Sequence, residues 1–453
     1  MISPMSKSAS IHFMGIGGIG MSALARILLS RGCVVSGCDR FPGEQGAALT
    51  ELGIEVCQGH SPEHIAHQDL LVVTSAVPCD HAEIKAAREH DVPVMKRAEL
   101  LADIMNPGRG IAVAGTHGKT TTSSLIGHLL VDAGLDPTVL VGGVSYNLGS
   151  NARVGSDLIV VEADEYDGSF LHLHPSIAVI TNIEADHLDY YGTEDRVRAA
   201  FHQFACSVSD LLVVCADDPS VLDCVRDVPA PVVSYGLNAG HWRGSVVRDV
   251  GERTHFTLRH GDEEAEIVFP LAGDHNVRNA LAAAAVANAL GVPLSRVVEG
   301  LSRFAGVGRR LEHKGEASGV LVLDDYAHHP TEIRANLGAI KRRFRRPVRA
   351  VFQPHTYSRT HDLMQDFATA FSDADAVYVL DIYAAREINS YNVSGADLAS
   401  AVGRTHDRVF YTETHAQTIE RLAHDVVPGD VVVTMGAGDV TTLGSELLTR
   451  LRA

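Results

Sequence analysis

Residues 111–122 read IAVAGTHGKTTT. Four apolar residues run into Gly-Thr-His-Gly-Lys-Thr and then into small polar residues. That order predicts a strand, an anion-cradling loop and a helix start near Thr120. The loop departs from the common nucleotide-binding pattern, which asks for a glycine at the position held by Val113. Gly115 and Gly118 still allow backbone N–H groups to converge on phosphate oxygens. Lys119 can offset phosphate charge, the Thr120 hydroxyl suits Mg²⁺, and the helix adds its positive N-terminal end. Thr116, His117 and Thr121 complete the stretch. A chance turn containing Gly-Lys-Thr is the competing reading, and the strand before it and the helix after it weigh against that.

A second glycine-rich loop, GIGGIG, occupies residues 15–20. Gly15, Gly17 and Gly20 fit G-x-G-x-x-G, with Gly18 between them, after a strand and before a helix. Asp39 ends the next strand about 20 residues on, where a dinucleotide-binding domain carries its ribose-binding acid. Two readings stand at this point: a nicotinamide oxidoreductase, or a pyrophosphate site for another nucleotide. The motif requires only a diphosphate at a helix N-terminus.

Further polar groups end apolar runs downstream. VVEADEYDGSF places Glu162 at a strand end, as a Mg²⁺ ligand or as part of a solvated acidic turn with Asp164, Glu165 and Asp167. TNIEADHLDYYG brings Asp186 and His187 to the same sheet edge. GDHNVRNALAAAA puts His275, Asn276 and Asn279 at a helix start. The two amides share a face and either read a purine edge or cap the helix. LDDYAHHPTEI and FQPHTYSRT supply Asp325, Tyr326, His328, His329 and Arg359, a set suited to clamping a small zwitterion. The adjacent His pair is a poor zinc site, because sequence neighbours seldom aim at one metal.

The chain has 453 residues, a net charge of -18 and 45% hydrophobic residues. That length suggests about three domains. The acidity argues against binding nucleic acid by broad phosphate neutralisation, so anionic ligands must be held by local loops. The seven cysteines form no C-x-x-C pair, so the spacing supports neither zinc nor a redox motif, and buried thiols in a cytoplasmic protein are expected. The first residues lack a signal-peptide apolar core, and no run is long enough to span a bilayer. Apolar strands alternate with helices along three α/β segments. NPGRG at 106–110 breaks the first from the second, and the third starts near Gly308. Residues 240–270 alternate like antiparallel hairpins, and NVRNALAAAAVANALG is a strong helix ended by Gly291.

Together these stretches resemble the Mur ligase family. The family loop reads G-T-x-G-K-[ST], so it too lacks the first glycine. The likeness runs on in order through EADE, TNIEADHLD, GDHNVRNALAA, GVGRR, DDYAHHPTE and FQPHTYSRT. It implies three domains. Residues 1–106 would form a Rossmann-like UDP-sugar-binding domain, and 107–308 a P-loop-type ATP-binding domain with a parallel sheet and a small antiparallel one. Residues 309–453 would form a Rossmann-like amino-acid domain. The GIGGIGMS stretch resembles the members that join L-alanine to the lactyl carboxylate of UDP-N-acetylmuramate through an acyl phosphate, the first peptide-stem step of peptidoglycan synthesis. The murein tripeptide recycling ligase is the alternative within the family.

By this resemblance Gly15, Gly17, Gly18, Gly20, Ser36, Asp39 and Ser75 serve the UDP substrate. Gly115 to Thr121, His275, Asn276, Asn279 and Arg309 serve ATP, and Thr120, Glu162 and His187 hold Mg²⁺. Lys119, His187, His328 and Arg359 are the catalytic candidates, the last two facing the amino acid. The expected enzyme is cytoplasmic, a monomer or weak homodimer, with no nucleic-acid or membrane partner. Two departures stand out. Several relatives carry a carbamylated lysine after the His187 motif, whereas this chain has no lysine between Lys119 and Lys314. Some alanine-adding members have Arg after QPH, where this chain has Thr356.

Overall fold

The computed structural model describes residues 8–74, 77–250, 253–385 and 387–452. The chain divides into two compact units. The first takes residues up to 243 with 258–264 and 278–304; the second takes 244–257, 265–277 and the chain from 305 onward.

In the first unit, β1 (Ser10–Met14), β2 (Val34–Asp39), β3 (Glu55–Gln58), β4 (Leu70–Val73) and β5 (Val94–Lys96) form a sheet of order β3-β2-β1-β4-β5. Every pairing in it is parallel. A second sheet contains β6 (Arg109–Ala114), β7 (Pro137–Ser145), β8 (Ser150–Arg153), β9 (Ser156–Glu162), β10 (Ile177–Ile180), β11 (Leu211–Cys215) and β12 (Val232–Gly236). Within this unit its order is β12-β11-β10-β6-β9-β7-β8; β13 (Trp242–Val250), β14 (Arg253–His260) and β15 (Glu263–Phe269) follow in the chain and fall largely in the second unit. The central strands are parallel, and β8 closes the edge antiparallel to β7.

The strand composition follows from burial. Ile177–Ile180 reads IAVI with every residue buried, as a strand covered on both faces must. The helix Lys119–Asp132 buries every residue from Thr120 to Leu130, so along that length no face meets solvent. It is pinned where His128 Nε2 meets the Gly300 carbonyl at 2.8 Å. Gly300 lies on the helix Leu294–Ser302, and a Cβ there would fall 2.6 Å from Leu129 Cδ2, so the Leu129 side chain would have to shift.

Parallel pairing puts functional loops on one edge. Ala114 pairs with Ile180 and Val113 with Glu162, so the segments leaving β6, β9 and β10 emerge side by side.

The second unit contains a six-stranded sheet of order β16-β17-β21-β18-β19-β20. Its strands are β16 (Glu312–Ala317), β17 (Val320–Asp325), β18 (Val348–Phe352), β19 (Ala376–Val379), β20 (Val409–Tyr411) and β21 (Val431–Met435). All pair in parallel except β16 with β17. Among the described residues, no helix is long and apolar enough to cross a membrane.

Candidate active site

The loop after β6 is shaped by contacts that tolerate only glycine at two points. Gly115 has φ +130°, and a Cβ there would fall 2.0 Å from Thr181 Oγ1. Gly118 has φ +83°, and its Cβ would meet Asn279 Oδ1 at 2.7 Å. The segment after β10 holds the loop from below. His117 N donates to Asn182 Oδ1 (2.9 Å), while Asn182 Nδ2 (3.0 Å) and Thr181 Oγ1 (2.6 Å) donate to the His117 carbonyl. Glu184 N donates to Thr116 Oγ1 at 2.9 Å. The helix begins at Lys119, one residue earlier than the sequence suggested, so Lys119 and Thr120 stand in its first turn and Thr121 follows, buried. The first amides of a helix have no intrahelical acceptor, which is the property an anion uses.

Lys119 Nζ donates to the carbonyls of Gly115 (2.6 Å) and Thr116 (3.2 Å), and to both carboxylate oxygens of Glu165 (2.8 Å each). Burial works against the ammonium charge, but Glu165, Asp164 and Glu162 outweigh it and raise the Lys119 pKa. Glu165 is pushed up to about 7, because burial and the nearby Asp164 exceed the attraction of Lys119. Its backbone carbonyl also accepts from Tyr191 Oη at 2.5 Å.

Thr120 Oγ1 donates to Glu162 Oε2 (2.9 Å), which also accepts from Gly142 N (2.8 Å). A Cβ on Gly142 would sit 2.5 Å from the same oxygen. His187, at φ +56°, turns its Nε2 to within 3.9 Å of Glu165 Oε1 and 3.7 Å of Asp186 Oδ2. The sheet edge therefore gathers Lys119, Thr120, Glu162 and His187 as the sequence suggested, and adds two groups to them. One is Glu165, in the acidic run where the sequence left a bland reading equally open. The other is the Gly142 amide, which no side-chain pattern could reveal.

The first glycine loop lies in the same unit. Gly17 N donates to Asp39 Oδ2 (3.0 Å) and Phe41 N to Asp39 Oδ1 (2.9 Å), so the Asp39 carboxylate braces the loop. A Cβ on Gly17 would meet the Pro42 carbonyl at 2.7 Å. Gly15 (φ +85°) starts the turn, and Gly18 caps the helix Ile19–Ser30. Ser36 lies within β2, its hydroxyl 2.9 Å from His12 Nδ1 rather than at the loop. Ser75 lies outside the described residues.

A cavity of about 290 Å³ runs from the first glycine loop to Glu162. Its lining includes Gly18 and Gly20 from the first loop, Gly142 and Glu162 from the second region, and Arg97 and Asp164. The last two form an ion pair at 3.5 Å.

Asn279 stands against Gly118, as described. Asn276, in the second unit, donates from Nδ2 to the Ala272 carbonyl (2.8 Å), and His275 packs against Gly273.

Elsewhere in the second unit, Arg309 (φ +58°) donates to the carbonyls of Gly436 (2.6 Å) and Gly438 (3.2 Å) and pairs with the buried Asp324 at 3.4 Å. Asp325 ends β17 fully enclosed and is pushed up to about 6 by burial. It accepts from Leu311 N, Ala327 N and Asn336 Nδ2. Those bonds make it a brace for the following turn. His328 Nδ1 donates to the Tyr326 carbonyl (3.0 Å), and Glu332 lies 3.7 Å away. Arg359 donates to the His355 carbonyl at 2.9 Å, and the rings of His355 and His328 are 6.1 Å apart. Thr356 holds Glu387 (2.5 Å), with Ser358 on the same carboxylate.

The chain is similar to known proteins along nearly its whole length. Residues 10–109 match the profile of the Mur ligase family, catalytic domain; 113–287 that of the Mur ligase middle domain; and 309–438 that of the Mur ligase, glutamate ligase domain. The chain is 46% identical to a UDP-N-acetylmuramate–L-alanine ligase of Geobacter sp. strain M21, over 99% of this chain and 98% of that protein. It is 44% identical to the ligase of that name from Myxococcus xanthus, over 98% and 96%. Among solved structures, it resembles a UDP-N-acetylmuramate–alanine ligase of Thermotoga maritima, with a TM-score of 0.85 at 31% identity, covering 97% and 98% of the two chains. A murein peptide ligase of Psychrobacter arcticus follows at TM-score 0.76 and 26% identity, covering 98% and 99%. The chain belongs to the Mur ligase family.

Proposed function

We infer that this chain joins L-alanine to the lactyl carboxylate of UDP-N-acetylmuramate, with ATP converted to ADP and phosphate. The observation that carries the reading is a cavity whose lining joins Gly18 and Gly20 to Glu162 and Gly142. It lets a substrate held by its diphosphate at the first loop extend its carboxylate toward a γ-phosphate at the second. An oxidoreductase use of the first loop leaves Lys119, Thr120 and Glu162 without a task. It also has no counterpart among the relatives named above.

A carboxylate is a poor electrophile, so amide formation needs activation. A lactyl carboxylate oxygen attacks the γ-phosphorus and ADP leaves. The amine of L-alanine then attacks the acyl carbon and phosphate departs. The Gly115–Thr121 loop holds the triphosphate through backbone amides, and Lys119 offsets charge on the transferring group. A neutral Glu165 would leave that ammonium available to phosphate, and its raised pKa favours the neutral form once a polyphosphate competes for Lys119. The hydroxyl of Thr120, the carboxylate of Glu162 and the imidazole of His187 form an oxygen-rich set that fits a hard divalent cation. Those three would hold Mg²⁺, which supplies charge neutralisation at the phosphates.

Asp39 and Gly15–Gly20 would position the UDP moiety, with Ser36 and Ser75 as further candidates. His275, Asn276, Asn279 and Arg309 would serve the nucleotide. Arg359 would take the amino-acid carboxylate, with His328 beside it; Thr356, already committed to Glu387, would not. We assign the domains to 1–106, 107–308 and 309–453, and place the enzyme in the cytoplasm with its nucleotide substrates as a monomer or weak homodimer.

Oxygen tracing tests the chemistry. UDP-N-acetylmuramate labelled with ¹⁸O in the lactyl carboxylate should deliver one label into the released phosphate. Unlabelled phosphate would refute the acyl-phosphate route.

A further inference from the structure

The sheet β3-β2-β1-β4-β5 carries a polar cluster on one face. His12 of β1, Cys38 of β2, His64 of the short helix Pro62–His64, and Glu83 of the helix Ala82–Glu89 meet there. Each offers one ligand atom, and the four atoms lie within 4.8 Å of one another. Apolar residues surround them, including Met14, Ile65, Leu71 and Ile84. Glu83 is fully buried and His12 is 2% exposed.

We propose that this cluster is a zinc site, with His12, Cys38, His64 and Glu83 as its four ligands.

Four observations carry it. The donor set is two imidazoles, a thiolate and a carboxylate, the types that tetrahedral Zn²⁺ takes. The thiolate and carboxylate together balance the charge of the ion, so a neutral unit is buried. The spacings suit one small ion: Cys38 Sγ is 3.2 Å and His64 Nδ1 3.0 Å from Glu83 Oε1. Ligand atoms about 2.0–2.3 Å from one tetrahedral centre stand about 3.3–3.7 Å apart, so small shifts suffice.

The fourth observation is a buried nitrogen. Ser36 holds His12 Nδ1 at 2.9 Å, while His12 Nε2 is buried with no hydrogen-bond partner among the described residues. An orphaned buried imidazole nitrogen is costly, and coordination would satisfy it. The Ser36 hydroxyl then acts as the outer partner that fixes the ring.

Without metal the cluster is a hydrogen-bond hub. Glu83 accepts from Ser61 N (3.1 Å) as well as from Cys38 and His64, and His60 Nδ1 lies 3.2 Å from its other oxygen. On Zn²⁺ binding, Cys38 loses its proton to solvent and the ion replaces the Cys38–Glu83 bond. His60 and His64, with side chains 29% and 20% exposed, mark the way in. The ligands come from two strands and two helices, so the ion would clamp the helix Ala82–Glu89 to the sheet.

The test uses Co²⁺ and Zn²⁺ on the full chain, stripped with chelator and held in excess Mg²⁺ so that the phosphate loop is occupied. Co²⁺ should produce an intense near-ultraviolet thiolate charge-transfer band with a stoichiometry of about one. The band should vanish in Cys38→Ser and persist in Cys206→Ser, an exposed thiol elsewhere. X-ray absorption at the zinc edge needs no variant. Wild-type chain with one Zn²⁺ should show one sulfur at about 2.3 Å and three lighter ligands. A first shell of nitrogen and oxygen only, or a charge-transfer band that survives Cys38→Ser, would overturn the proposal.

Discussion

Replacing Lys119 by Met removes a charge and keeps most of the side-chain volume. The ammonium makes four contacts, two with carbonyls (2.6 and 3.2 Å) and two with Glu165 (2.8 Å each). Breaking a buried ion pair ordinarily costs about 3–5 kcal/mol, because the remaining charge is stranded. Glu165 changes that arithmetic. Its carboxyl already titrates at about 7 with the cation beside it, and without the cation it rises further. It therefore takes up a proton at neutral pH. The stability loss at pH 7 shrinks to the charge-assisted hydrogen bonds, about 1.5–3 kcal/mol. Catalysis has no such escape. One preorganised donor is worth about 10²–10³ in rate, and a full charge on a transferring phosphoryl group about 10³ or more, roughly 4 kcal/mol. The assay is ADP formation at saturating substrates, with the urea midpoint measured in parallel. The variant should stay folded while its kcat falls by about 10³ or more. A Lys119→Met chain that retains kcat within about tenfold of the parent would refute the assignment of the loop.

Three further perturbations probe other parts of the account. Glu165 has a folded pKa near 7, above its ordinary 4.5, so the stability it contributes is complete below pH 4.5 and is lost as pH rises through 7. Glu165→Gln should flatten the fall in urea midpoint between pH 5 and 8, and an unchanged slope would contradict the assignment. Asp39→Ala releases the amides of Gly17 and Phe41. It should raise KM for UDP-N-acetylmuramate by about tenfold or more, about 1.4 kcal/mol, while KM for ATP stays put; equal shifts in both would argue for a general fold defect. Arg359→Ala should raise KM for L-alanine about 10–150-fold, the worth of a charge-assisted hydrogen bond, with ATP binding unchanged by calorimetry; a normal KM would remove Arg359 from the amino-acid site.

The legible parts of the fold were those where one physical demand acts alone. Strands buried on both faces, such as Ile177–Ile180, read as unbroken apolar runs. Glycines at positive φ, such as Gly118, stand where no other residue fits. Glu162 was visible because it ends such a run. Short half-exposed strands such as Glu55–Gln58 and Val409–Tyr411 carry no run, and exist because a neighbour presents a paired edge. Glu165 was one of several acids in a row. A turn with Asp167 at φ +52° and Gly168 at +70° decides which of them meets Lys119, and no spacing encodes that. Gly142 acts through its amide, which every residue but proline possesses. The cluster at His12 was invisible for a different reason: its members sit on separate elements, and only the β1–β2 pairing and the packing of the helix Ala82–Glu89 bring them together.

The most direct test of the central claim is phosphate release with ATP, Mg²⁺ and UDP-N-acetylmuramate, comparing L-alanine, glycine, L-serine, a stem tripeptide and no amine, with the product weighed by mass spectrometry. Release should depend on L-alanine and be matched by a UDP-muramyl-alanine mass. Release only with the tripeptide, or ATP binding without release for any amine, would contradict it.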